Sequence, residues 1–232
     1  PKEEVLDYLA EDIPLDIIYE DEYFLVVNKP ANLPSIPSRN EGDASLLEIV
    51  NTYFHDNNYV TIPHIVTRLD KNTTGLVLIA KHRHIHALFG KIDINKFYLA
   101  LAKGRVADQV IEANIKREED SIITRCVAED GDYAKTQVWL EKYDEKKDVS
   151  LVKLKLFTGR THQIRVHMSH LGHPLLGDEL YGGNKDLIAR QALHCHNLQF
   201  KHPITQKELS LEAPLAGDIM MITDTKPRNK IF

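Results

Sequence analysis

Strict alternation of apolar and charged positions is clearest at Val152, Leu154 and Leu156, which interleave with Lys153 and Lys155. That period of two belongs to a strand with one buried face. Around it, Val110 to Ile115, Ser121 to Ala128, Ala134 to Tyr143 and Ser150 to Phe157 read as a run of antiparallel strands separated by charged or Gly-containing turns. Further strands are predicted at Asp16 to Glu20, Tyr23 to Asn28, Lys96 to Ala102, Ala192 to Lys201 and Glu208 to Leu211. Helical spacing appears at residues 4 to 11, at Ser45 to Phe54, at Arg83 to Ile92 and at Leu215 to Ile222. Thr161 to Leu171 is also helical, with Ile164, Met168 and Leu171 on one stripe, Arg165 off it and Gly172 as the stop. No repeat or linker interrupts this order. One mixed α+β domain is therefore expected over residues 16–232, preceded by an arm over residues 1–15.

One stretch stands out within the pattern. Ile65 to Lys81 holds two apolar runs around a polar turn closed by Gly75, so that one strand would deliver Asp70 to the turn and the next lead away. Arg68 and Asp70, two residues apart, would share a strand face. A cation beside a carboxylate at a strand end can be chemistry, and it can equally be an Asx-type turn beside a solvated arginine. The local residues leave both readings open.

Composition bounds the class. The chain has 232 residues, 43% of them hydrophobic, enough for a real core, and no apolar run approaches the roughly 20 residues of a membrane helix. No signal pattern opens the chain, so the cytoplasm is the expected compartment. Cys126 and Cys195 are too few for a disulfide framework and lack metal-type spacing. The net charge of −5 is unevenly spread: nine acids against Lys2 alone crowd the first 22 residues, which leaves the remainder with an excess of cations. These gather near Arg68, Lys71, Lys81, Arg83, Lys91 and Lys96 and again near Arg160 and Arg165, where they could face a polyanion.

Other chemistry fits poorly. His162, His167, His170 and His173 crowd one predicted helix and its exit, but only His167 and His170 have ligand spacing, and no HExxH-type partner accompanies them. Helix-capping or RNA-facing roles suit these histidines better than zinc, and no metal is expected. Gly182-Gly183 lacks the strand-to-helix context of a phosphate loop, and no Ser elbow or activated cysteine is readable. What survives is an aspartate that could act as a covalent nucleophile, with arginines able to hold it ionised.

Three segments then carry a resemblance: Arg68-Leu69-Asp70-Lys71-Asn72-Thr73-Thr74-Gly75, Lys96-Phe97-Tyr98-Leu99-Ala100, and Gly159-Arg160-Thr161-His162-Gln163-Ile164-Arg165-Val166-His167. In type and order they resemble the signature segments of the RluA-like pseudouridine synthases, and Asn28-Lys29-Pro30, Gly172 to Asp178 and Leu193-His194 agree. The resemblance spans about Asp16 to Pro214. It implies the pseudouridine synthase fold, a mixed, mostly antiparallel sheet with flanking helices and a central basic cleft, and an isomerase that turns uridine in RNA into pseudouridine.

By the same resemblance, Asp70 is the catalytic aspartate, attacking the sugar C1′ or the uracil C6, and Tyr98 stacks on the target base. Arg165 is the ion-pair partner of Asp70, and Arg68 helps hold the flipped-out nucleotide or its vacated place. No cofactor is implied. The implied partner is RNA, ribosomal RNA foremost and transfer RNA as the alternative, with no membrane and a monomeric enzyme. Thr67 and Thr74 depart from the family's usual His and Ser without touching the chemistry. Many relatives begin with a basic S4-type RNA-binding domain that nothing before Asp16 resembles, so this chain, opening at Pro1, is expected to be a catalytic domain from a longer protein. The rival readings are a non-catalytic RNA-binding module and a glycosidase, the latter lacking an evident second carboxylate beside Asp70.

Overall fold

The computed structural model describes residues 13–37 and 44–223. In chain order its elements are β1 (Ile17–Glu20), β2 (Phe24–Lys29), α1 (Leu46–Asp56), β3 (His64–Ile65), β4 (Thr74–Ala80), α2 (Arg83–Phe89), β5 (Asn95–Lys103), β6 (Gln109–Glu112), β7 (Ile115–Arg117), β8 (Arg125–Val127), β9 (Lys135–Asp144), β10 (Val149–Leu156), α3 (Gln163–His170), β11 (Leu193–Lys201), β12 (Glu208–Glu212) and α4 (Gly217–Thr223). The helix expected over residues 4 to 11 lies outside the described residues. The chain packs as two units, residues 1–94 with 198–213 and residues 95–197 with 214–232, so that β11 contributes its first half to the second unit and its remainder to the first.

In the first unit β2 pairs antiparallel with β1 on one side and β4 on the other, and β3 adds two residues against β4. Every residue of β4 is buried. That explains its unbroken apolar run, because a strand covered on both faces has no polar side to alternate with. Phe24, Phe89 and Phe200 meet edge to face with centroids 5.2 to 5.7 Å apart and form the aromatic part of the core. α1 starts at a capping box: the Glu48 N–H donates to the Ser45 hydroxyl at 3.3 Å, and the Ser45 N–H donates to the Glu48 carboxylate at 2.6 Å. The Ser45-x-x-Glu48 spacing specifies this start, and Leu46, Ile49, Val50 and Phe54 form the buried stripe behind it.

The second unit holds an antiparallel succession β5, β10, β9 and β6, with β7 and β8 as a separate two-stranded ribbon. α4 closes over Leu101, Val149, Leu176 and Ile188, and the Arg190 guanidinium ties it down through a two-point contact with Asp218 at 2.7 and 2.9 Å. These pairings give the mixed, mostly antiparallel architecture expected from sequence. Two strand expectations change. Val110 to Ile115 is split, because β6 ends at Glu112 and Ile115 opens β7. Ser121 to Ala128 is strand only at β8, because the Ser121 hydroxyl accepts the Ile123 and Thr124 N–H groups and folds the start into a turn.

Candidate active site

Asp70 does not sit on a strand. β3 ends at Ile65, and Thr67 to Lys71 run on as an irregular segment, so the expectation that a strand delivers Asp70 is corrected. Burial nonetheless alternates along the segment: Thr67 and Leu69 are buried, whereas Arg68 is exposed and Asp70 half-buried. Arg68 and Asp70 therefore do alternate away from the buried side, as residues two apart should. The Asp70 carbonyl also accepts the Thr73 N–H at 3.0 Å, so its backbone opens a turn.

Side chains from the end of β2 and the loop after it replace the missing strand partner. The Ser35 hydroxyl accepts the Leu69 N–H at 3.0 Å and donates to the Leu69 carbonyl at 2.8 Å, satisfying both backbone groups of the residue before Asp70. Lys29 is 1% exposed, and its ammonium donates to the carbonyls of Pro30, Leu33 and Lys71 at 2.8, 2.7 and 3.0 Å. Each of these carbonyls thereby has a donor on the buried side chain. The Asn32 N–H donates to the Asn72 side-chain oxygen at 3.1 Å, and the Leu33 N–H to the Lys71 carbonyl at 3.1 Å. Asp70 is thus fastened on both sides in sequence. Thr67 fits the same scheme, its hydroxyl accepting the Leu78 N–H at 3.0 Å.

Tyr98 and Arg165 belong to the second unit. Tyr98 lies on β5 opposite Leu154 of β10 and is 6% exposed. Arg165, on α3, lies off the apolar stripe, where periodicity alone would leave it solvated, but it is 7% exposed. Asp178 accounts for the difference. Arg165 Nε and Nη2 donate to its two carboxylate oxygens at 2.8 Å each, a fork-to-fork contact, and the guanidinium carbon lies 5.0 Å from the centre of the Tyr181 ring. The Tyr181 hydroxyl accepts the Arg125 N–H at 3.0 Å and stands 2.7 Å from Nδ1 of His162. Burial pushes the Tyr181 phenol up from its usual range, so it keeps its proton at neutral pH.

Sequence reasoning missed Asp178 as a partner. The signal was present in an arginine on a short helix whose neighbours Ile164, Val166 and Met168 are all buried, since such a cation needs a carboxylate. The Gly-rich loop that follows has its reason here too. A Cβ on Gly177 would overlap the Arg190 carbonyl and one on Gly183 the Leu175 carbonyl, so only glycine lets the chain close around Asp178.

The family model described as RNA pseudouridylate synthase matches residues 23–170, a span that includes Arg68, Asp70, Tyr98 and Arg165. The chain belongs to the RNA pseudouridylate synthase family. The synthase is 44% identical to the uncharacterized RNA pseudouridine synthase YjbO of Bacillus subtilis, over 94% of this chain and 79% of that protein. It is 38% identical to ribosomal large subunit pseudouridine synthase D of Vibrio vulnificus, over 98% of this chain and 75% of the relative. In structure it is similar to human RNA pseudouridylate synthase domain containing 1, with a TM-score of 0.71 at 30% identity, covering 87% of this chain and 83% of the other. It is therefore an isomerase acting on RNA.

The histidines of the synthase fall into place differently from expectation. His167 is wholly buried rather than capping a helix or facing RNA: Nδ1 accepts from the Thr136 hydroxyl at 2.8 Å, and Nε2–H donates to the Ala113 carbonyl at 2.8 Å. Burial lowers its pKa, which suits a neutral ring between one donor and one acceptor. His162 sits in the left-handed region at φ 57° at the start of α3, a conformation rare for a residue with a Cβ, and makes no side-chain capping bond. Among the described residues, no group of three or more His, Cys, Asp or Glu side chains is arranged to hold a metal. Both cysteines are free thiols, Cys195 buried and Cys126 half-buried. No described helix is long and apolar enough to cross a membrane.

Proposed function

We propose that this synthase isomerises a specific uridine of ribosomal RNA, with Asp70 as nucleophile on a base flipped out of its helix. The carrying observation is the fastening of the Asp70 segment by Lys29 and Ser35, which fixes the backbone on either side of one carboxylate and leaves that side chain on the less buried side of the chain. Asp70 either bonds to C1′ of the ribose and displaces the uracil through N1, or adds to C6 of the uracil, after which the N1–C1′ bond breaks. The uracil turns, C5 joins C1′, the bond from Asp70 to carbon breaks and returns the carboxylate, and the proton lost from C5 is balanced by one gained at N1. No atom is lost or gained, and no electron acceptor is required.

Tyr98 serves as the aromatic platform for the base, Arg165 as the cation that holds the reacting aspartate ionised, and Arg68 as a contact to the target nucleotide or its vacated position. All four lie within the span matched by the family model. Ribosomal RNA is favoured over transfer RNA because curated relatives at 38 and 39% identity bear the name ribosomal large subunit pseudouridine synthase D. The site of action is then the cytoplasm. Mapping pseudouridines in total RNA from cells with and without this gene tests the reading: loss of one or a few ribosomal sites supports it, and loss confined to transfer RNA contradicts it.

A further inference from the structure

Phe97 and Tyr98 are neighbours on β5, so their side chains leave the sheet on opposite faces. The Tyr98 face continues through Leu154 and Val138 to Thr136, where His167 of α3 packs against it. On the Phe97 face, α4 covers Leu101 and meets Leu151, and the cluster it closes does not reach the aromatic rings further along the strands. There Lys155 of β10 stands in register with Phe97 of β5, and Lys153 with Trp139 of β9. The Lys153 ammonium lies 4.9 Å from the centre of the Phe97 ring and 6.0 Å from that of Trp139. The Lys155 ammonium lies 5.6 Å from Phe97 and 4.9 Å from Phe157, a ring that is 51% exposed. Lys135 stands 5.3 Å from Phe157 but has Glu112 at 2.9 Å to offset its charge. Among the described residues, no carboxylate pairs with Lys153 or Lys155.

We propose that this face is a second RNA-binding surface, one that takes an unpaired stretch of RNA with its bases on Phe97, Trp139 and Phe157 and its phosphates on Lys153 and Lys155. Rings and unpaired cations interleaved on an open sheet face are the two components of single-strand recognition. Each ring now carries an ammonium in an exposed cation–π contact, which is weaker than the stacking of a base on the same ring. An incoming base therefore takes the ring, and the displaced ammonium swings on its flexible stem to a phosphate. Two cations without acidic partners favour a polyanion over an apolar protein segment as the occupant. Sequence is not read here, because every base has a face to stack and the phosphates are common to all. The proposal rests on the chain's action on RNA, and on neither Asp70 nor the identity of the RNA modified.

Trp139 is the only tryptophan of the chain, so its fluorescence reports on this face directly. The test titrates the full chain with a short oligocytidylate, which contains no uridine to be isomerised, over a range of salt concentrations. Binding should quench Trp139 in a saturable way and weaken as salt rises. A variant carrying both Lys153→Gln and Lys155→Gln should bind more weakly at low salt. Its dependence of log affinity on log salt should be shallower by about 1.4, the loss of two single-strand phosphate contacts. Phe97→Leu should lower affinity by roughly tenfold, the scale of losing one base stack, with the salt dependence unchanged. Should Phe97→Leu lower the melting temperature, Phe157→Leu, at the more exposed ring, takes its place. No binding, or binding that leaves Trp139 fluorescence unchanged, would overturn the proposal and is the result expected of a face that holds a protein instead. Parental affinity and salt dependence in the lysine variant, or parental affinity in the ring variant, would overturn it as well.

Discussion

The Lys29 ammonium lies 3.0 Å from the carbonyl oxygen of Lys71, the residue directly after Asp70. This bond ties the end of β2 to the segment that carries Asp70. Lys29→Met keeps the side-chain volume but leaves three carbonyls without that donor. Unfolding in urea should show a loss of about 3 kcal/mol with an unchanged slope, the cost expected when buried acceptors lose a charged donor. Activity should fall further than the folded fraction, because the Lys71 end of the Asp70 segment is then held only by the Leu33 and Asn32 N–H groups.

Ser35→Ala tests the other anchor. Both backbone groups of Leu69 lose their hydroxyl partner, and a cost of about 1–3 kcal/mol is expected by thermal or urea unfolding. Ser35→Thr, which retains the hydroxyl, should recover most of it.

These two anchors also show where sequence reading stopped. The apolar run of β4, the capping box of α1 and the alternation along β10 were legible because each is set by neighbours within a few residues. The end of β3 was not, because Ser35 and Lys29 replace a strand partner from more than 30 positions away. Asp70 and Arg165 were legible only through the company of distant motifs, and the contact of Arg165 with Asp178 was not, because a helix stripe cannot reveal a carboxylate 13 residues on. Asp178 lay inside the quoted Gly172 to Asp178 segment, yet its role depends on a chain reversal that Gly177 and Gly183 permit and periodicity does not report.

Stability should fall in two steps as pH is lowered. The folded pKa of His167 lies below 6.5 through burial, so the unfolded chain binds a proton first. The contribution of the neutral ring is complete above pH 6.5 and is lost as pH falls below it. Burial alone would raise the Glu20 carboxyl, but hydrogen bonds from Lys81, Tyr59 and Tyr53 outweigh it and hold the pKa below 4.5. Its contribution is present above 4.5 and is lost as pH drops through the lowered folded value. Melting temperature against pH should therefore bend near 6.5 and again below 4.5, and His167→Gln should flatten the first bend specifically.

Gly183→Ala should be among the most damaging single-methyl additions in the second unit, because the new Cβ meets the Leu175 carbonyl and the backbone of Asp178. A melting temperature close to the parent's would show that the loop around Asp178 has more room than its packing indicates.

The nucleophile role proposed for Asp70 is separable from RNA binding. Its most direct test is Asp70→Asn, assayed for pseudouridine formation in ribosomal RNA from cells lacking the gene and, in parallel, for RNA affinity and melting temperature. Product formation should fall by at least about 1,000-fold, the scale of losing a covalent nucleophile, with folding intact and RNA still bound. A folded Asp70→Asn protein that still makes pseudouridine near the parental rate would contradict the account.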